Sequence, residues 1–218
     1  MEDEDFLMCS WELHCGKSLP AKTYFPGKSE RVIGKDRRKK VSPRDLQDGG
    51  KFRPIVKLFS VLNGQTYQGT GWLIRDDLVV TAGHNVVDKL SDKPKSHTFA
   101  TSVVVYVGYG GEDTKGSKNV HRREGTKVVT SYNWVSKQEP ANDFAFVKLS
   151  KRFENVSPIK YLTTPLFETA NLCVVGYPGD KQQGGEYGAE MDKELAKVQW
   201  KLKKADGLLA YRIFNFWR

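Results

Sequence analysis

Three cysteines in 218 residues, Cys9, Cys15 and Cys173, are too few for a disulfide framework. Cys9 and Cys15 flank His14, but a zinc site there would need a fourth ligand and better spacing, so no metal is expected. Cys173 lies in the apolar run Leu172–Val175 and reads as a buried core residue. Nothing points to redox chemistry or to a cofactor. No apolar run approaches the roughly 20 residues of a membrane helix; the β-like stretch from Ser102 to Tyr109 is already broken at Gly108. The start, Met-Glu-Asp-Glu-Asp, has neither the basic n-region nor the apolar segment of a secretory signal.

The charge balance is basic, with 35 Lys and Arg against 26 Asp and Glu, a net +9. Part of the excess sits in one run, Lys35 to Lys40, interrupted only by Asp36. Such a run could serve nucleic acid or an acidic surface. No aromatic platform or reading module accompanies it, so it is expected to be a solvated segment at a domain edge, with no specific nucleic-acid partner.

From Phe52 onward the chain reads as short strands and turns. Arg53–Leu62 and Thr66–Ile74 flank Asn63-Gly64, a tight-hairpin signal. Further strands are predicted at 78–81, 99–107, 126–132, 144–149 and 172–177. Val198, Trp200 and Leu202 alternate with Gln199, Lys201 and Lys203, the period of a half-buried strand, and a partner follows at 208–213. With no long amphipathic helix and no repeat, this is an all-β barrel or sandwich.

Two stretches carry the chemistry. In Leu78-Val79-Val80-Thr81-Ala82-Gly83-His84 an apolar strand ends in small residues that leave an imidazole uncovered. In Asn142-Asp143-Phe144-Ala145-Phe146-Val147 an aspartate opens an apolar strand. A carboxylate partly buried there needs a donor, and a neutral histidine Nδ1–H would supply one.

Together with Gly69–Ile74 and Val175-Gly176-Tyr177-Pro178-Gly179-Asp180, these motifs resemble the trypsin-like serine peptidases, more narrowly the glutamyl endopeptidase branch. Arg31–Val41 is similar to the opening of that branch's mature domain, and the resemblance covers about residues 31–213. It implies a chymotrypsin-like pair of antiparallel β-barrels acting on protein or peptide substrates, with His84 as general base and Asp143 as the carboxylate that orients it. Residues 176–179 would be a structural turn in the second barrel. The domains expected are an extension over 1–30, a first barrel over 31–158 carrying His84 and Asp143, and a partial second barrel over 159–218. The resembling family is largely secreted, whereas the acidic start carries no export signal, so localisation stays open, as does oligomeric state.

The family order is His, Asp, Ser. No Gly-x-Ser-Gly segment follows Leu208–Ile213, where it is expected, so the chain reads as truncated before its nucleophile and oxyanion hole. Losing a triad nucleophile costs roughly a millionfold in turnover, about 8 kcal/mol, and each oxyanion donor is worth roughly 3 kcal/mol more. Ser131, Ser136 and Cys173 are poor substitutes by position. The chain is therefore expected to be inactive as written, its second barrel incomplete and bordered by an apolar edge over Leu208–Trp217. The alternative is a non-catalytic binding protein that uses its basic face or that open edge.

Overall fold

The computed structural model describes residues 7–16, 36–89, 97–161, 169–203 and 208–211. In chain order the strands are β1 (Met8–Glu12), β2 (Lys39–Lys40), β3 (Ile55–Leu62), β4 (Gln65–Arg75), β5 (Leu78–Thr81), β6 (Val87–Lys89), β7 (His97–Phe99), β8 (Ser102–Val107), β9 (His121–Ser131), β10 (Ala145–Leu149), β11 (Thr169–Gly176), β12 (Gln182–Gln183), β13 (Glu186–Tyr187), β14 (Asp192–Lys203) and β15 (Leu208–Tyr211). Among the described residues one short α-helix, α1 (Tyr132–Lys137), and a few 3-10 turns interrupt them, and the fold is all-β. No helix among the described residues is long and apolar enough to cross a membrane.

β8, β3, β4, β5, β10 and β9 pair in that order, and β9 returns to β8, closing a six-stranded antiparallel barrel. Asn63 and Gly64 both take positive φ, 50° and 75°, as a two-residue hairpin loop requires, and they set Leu62 opposite Gln65. Val56, Leu58, Leu73, Val79, Val105, Val128 and Val147 fill the interior. The strand predicted over 99–107 is divided: Phe99 ends β7 and Ser102 begins β8.

β3 is buried on both faces. Its outward residues Ile55 and Phe59 join Tyr106, Tyr109, Tyr177 and Met191 in a second apolar cluster beneath the other sheet. Phe59 meets Tyr106 and Tyr109 edge-on, with ring centroids 5.8 and 5.6 Å apart, a geometry that adds about 0.5–1.5 kcal/mol per pair beyond area burial. That other sheet consists of β11, β14 and β15, with β2 pairing β14. Tyr177 is buried where the two units meet: its amide donates to Thr70 Oγ1 (2.9 Å) and its hydroxyl to the Tyr109 carbonyl (3.1 Å).

Three expectations need revision. Met8–Glu12, placed in the N-terminal extension, pairs with Ser131–Lys127 of β9 beyond the point where β8 stops, and Trp11 donates its indole N–H to the Ala100 carbonyl at 2.8 Å. Cys173 is exposed rather than buried: it stands opposite Leu195, itself 73% exposed, because a continuous apolar run does not reveal which face of a strand is covered. The basic run is not simply solvated. The Arg38 side chain is only 5% exposed and forks onto Asp180 (2.7 and 2.6 Å) and Asp36, while Lys40 pairs with Glu190. Lys35, most of the 1–30 extension, Arg31–Gly34 of the barrel opening, and Ile213, Phe214, Phe216 and Trp217 of the apolar edge lie outside the described residues.

Candidate active site

β5 delivers the histidine. After Thr81 the backbone stays extended at Ala82 (φ −70°, ψ 144°) and then tightens into a single 3-10 turn over Gly83–Asn85. Thr81, almost fully buried, donates its hydroxyl to the Thr70 carbonyl (2.9 Å) and accepts the Asn85 side-chain amide (2.8 Å). Asn85 in turn lies where a side chain on Gly69 would fall: a Cβ there would stand 2.6 Å from its Oδ1. The Gly69-Thr70-Gly71 stretch is thus the floor on which the histidine turn rests, a role that its sequence did not announce.

The aspartate arrives from the other side, after a 3-10 turn over Pro140–Asn142 and before β10. β10 and β5 are hydrogen-bonded neighbours with Ala145 opposite Thr81, so the two chain ends emerge side by side. Asp143 then makes two bonds to one residue. Its Oδ1 accepts the His84 backbone N–H at 2.8 Å and its Oδ2 lies 2.7 Å from His84 Nδ1. The backbone bond fixes where the carboxylate sits, and the ring bond places Nδ1–H toward it, leaving Nε2 with the lone pair. The side chains are 32% and 19% exposed, enough shelter to strengthen the ring bond and enough access for a reacting group.

The remaining histidines stand apart from this pair. His97 lies in β7 opposite Lys89, His121 is 3.0 Å from the Lys118 carbonyl, and His14 binds Thr101 through its backbone. Ser131 and Ser136 use their hydroxyls locally, on Asn142 and on the Tyr132 carbonyl. Among the described residues no cluster of His, Cys, Asp and Glu is arranged to hold a metal ion.

The model of the family described as trypsin matches residues 47–202. A glutamyl endopeptidase of Bacillus licheniformis is 28% identical over 205 residues, which is 91% of this chain but 58% of the relative, so the chain spans little more than half of that protein's length. Among solved structures, a Glu endopeptidase in complex with MPD superposes with a TM-score of 0.57 at 23% identity, covering 78% of this chain and 71% of that one. A structure of GrC does so with a TM-score of 0.52 at 18% identity, covering 76% and 65%. At these identities both similarities show the fold alone.

Proposed function

The chain belongs to the trypsin family, and from that premise we propose that His84 and Asp143 are the general base and the orienting carboxylate of a serine endopeptidase site. The observation that carries this reading is the double bond of Asp143 to the His84 backbone and ring. In peptide-bond hydrolysis His84 Nε2 takes the proton of a serine as it attacks the scissile carbonyl. Asp143 stabilises the imidazolium, which then returns the proton to the leaving amine, and water resolves the acyl-enzyme. The substrates are proteins or peptides. Preference for an acidic residue before the cleaved bond is proposed from the glutamyl endopeptidase relative.

The 218 residues contain no Gly-x-Ser-Gly segment, and this reading assigns none of them as the attacking hydroxyl or the oxyanion donors. A fluorophosphonate probe tests for a nucleophile: the 218-residue chain should remain unlabelled, and labelling abolished by His84→Ala would show that one is present within it and that His84 activates it. A second reading, a partner-holding protein without catalysis, draws support from the exposed Cys173 and Leu195 on the second sheet. It predicts a saturable complex whose affinity is unchanged by His84→Ala.

A further inference from the structure

We propose that Thr130 and Ser131, consecutive residues at the end of β9, are positioning residues that aim the Asp143 carboxylate at His84; this rests on the reading of that pair as base and orienter. Asp143 has φ −76° and ψ 63°, and the Phe144 N–H donates to the Asn142 carbonyl at 2.9 Å. That is an inverse γ-turn with Asp143 at its centre. Such a turn is closed by one short-range hydrogen bond, so the direction of its central side chain depends on how firmly the two flanking residues are held.

Both flanks are held by hydroxyls of β9. On the C-terminal side, Thr130 is completely buried and its Oγ1 donates to the Phe144 carbonyl at 2.6 Å. The β9–β10 ladder runs only from Ala145 onward, so this bond extends the pairing by one residue with a side chain in place of backbone. On the N-terminal side, Ser131 is buried and donates to Asn142 Oδ1 at 2.9 Å, while accepting the Asn133 amide at 3.1 Å. Asn142 is braced from beyond by Glu139, through its side-chain amide (3.1 Å) and its backbone N–H (2.9 Å). Two adjacent hydroxyls therefore fasten the residues on either side of one carboxylate. Capping of α1 accounts for the Asn133 bond but not for the bonds to Asn142 and Phe144.

The test uses the whole 218-residue chain with 15N-labelled histidine and long-range 1H–15N correlation, which reads the ring tautomer and the exchange of the His84 Nδ1 proton. The parent chain should show the Nδ1–H tautomer with a protected ring proton. Thr130→Val and Ser131→Ala should each speed that exchange about tenfold, equivalent to about 1.4 kcal/mol, the scale of one hydrogen bond. Thr130→Ser and Ser131→Thr should restore it. Urea midpoints measured on the same variants separate a purely structural role, which would move the midpoint and leave the ring signals of the folded chain unchanged. Asp143→Asn is the reference. If it alters the ring signals while Thr130→Val and Ser131→Ala do not, the positioning role is overturned and the reading of the pair stands. If Asp143→Asn itself leaves them unchanged, both fall.

Discussion

A Cβ on Gly83 would stand 2.6 Å from Cδ1 and 2.7 Å from Nε1 of Trp134, so the indole occupies the space that a side chain at 83 would need. Trp134 is buried in α1, and the residue it crowds immediately precedes His84. Gly83→Ala should cost about 1–3 kcal/mol through overpacking. Trp134→Leu should relieve part of that penalty, giving less than additive losses in a double-mutant cycle followed by urea unfolding. Full additivity would mean that the two residues do not share this space.

Glu186 binds two donors from the loop after β8: its Oε1 accepts the Tyr109 hydroxyl at 2.6 Å and its Oε2 the Glu112 amide at 2.9 Å. Glu186→Ala removes the acceptor from both and should destabilise by about 2–6 kcal/mol, from roughly 1–3 kcal/mol for each group left without it. Glutamine should retain most of the stability. Its carbonyl can accept the Glu112 amide while its NH₂ donates to the phenol oxygen, which then acts as acceptor. Equal losses for alanine and glutamine in thermal unfolding would show that charge, not hydrogen-bond geometry, holds this junction.

The pairing of His84 with Asp143 was legible because both residues stand in short local patterns. A small-residue turn before His84 and a polar residue opening an apolar strand are short-range patterns, and the structure sets them 2.7 Å apart. The β3–β4 hairpin and the strand over 198–203 were legible for the same reason: Asn63-Gly64 and period-two alternation need no knowledge of distant residues. What escaped depends on tertiary partners. Met8–Glu12 is too short to show a period and becomes a strand only because β9 outruns β8. Cys173 looks like core until the second sheet shows which face is covered. Arg38 looks like one charge in a solvated run until Asp180, 142 positions away, receives its fork.

That fork predicts an acid-sensitive segment. Hydrogen bonds from Arg38 are the largest cause holding the carboxyls of Asp36 and Asp180 below the ordinary aspartate value. A carboxylate whose pKa is lower in the folded than the unfolded state contributes stability that is complete above its unfolded value, about 3.9, and lost as pH falls through the folded one. The amides of Lys39, opposite Lys193, and of Val41, which donates to the Met191 carbonyl at 2.8 Å, should therefore stay protected at pH 5 and lose protection as pH drops below about 4. In Arg38→Met they should exchange faster at pH 5 already, with no comparable further loss on acidification. A parallel loss in both proteins would assign the acid step to other carboxyls.

Glu194 should show the opposite pH dependence. It is only 6% exposed, and its Oε2 lacks a hydrogen-bond partner among the described residues. Burial pushes its carboxyl above the ordinary glutamate value, with Asp36 adding to the rise while Arg37 and Arg38 oppose it. For an acid whose folded pKa is raised, deprotonation is harder in the folded than in the unfolded state. The penalty is therefore absent below the unfolded value, about 4.3, and complete once pH exceeds the folded one. Glu194→Gln removes the charge at nearly constant volume, so it should raise the unfolding midpoint at pH 7 and leave it unchanged near pH 3.5. A gain of the same size at both pH values would trace to packing of the amide rather than to the buried charge.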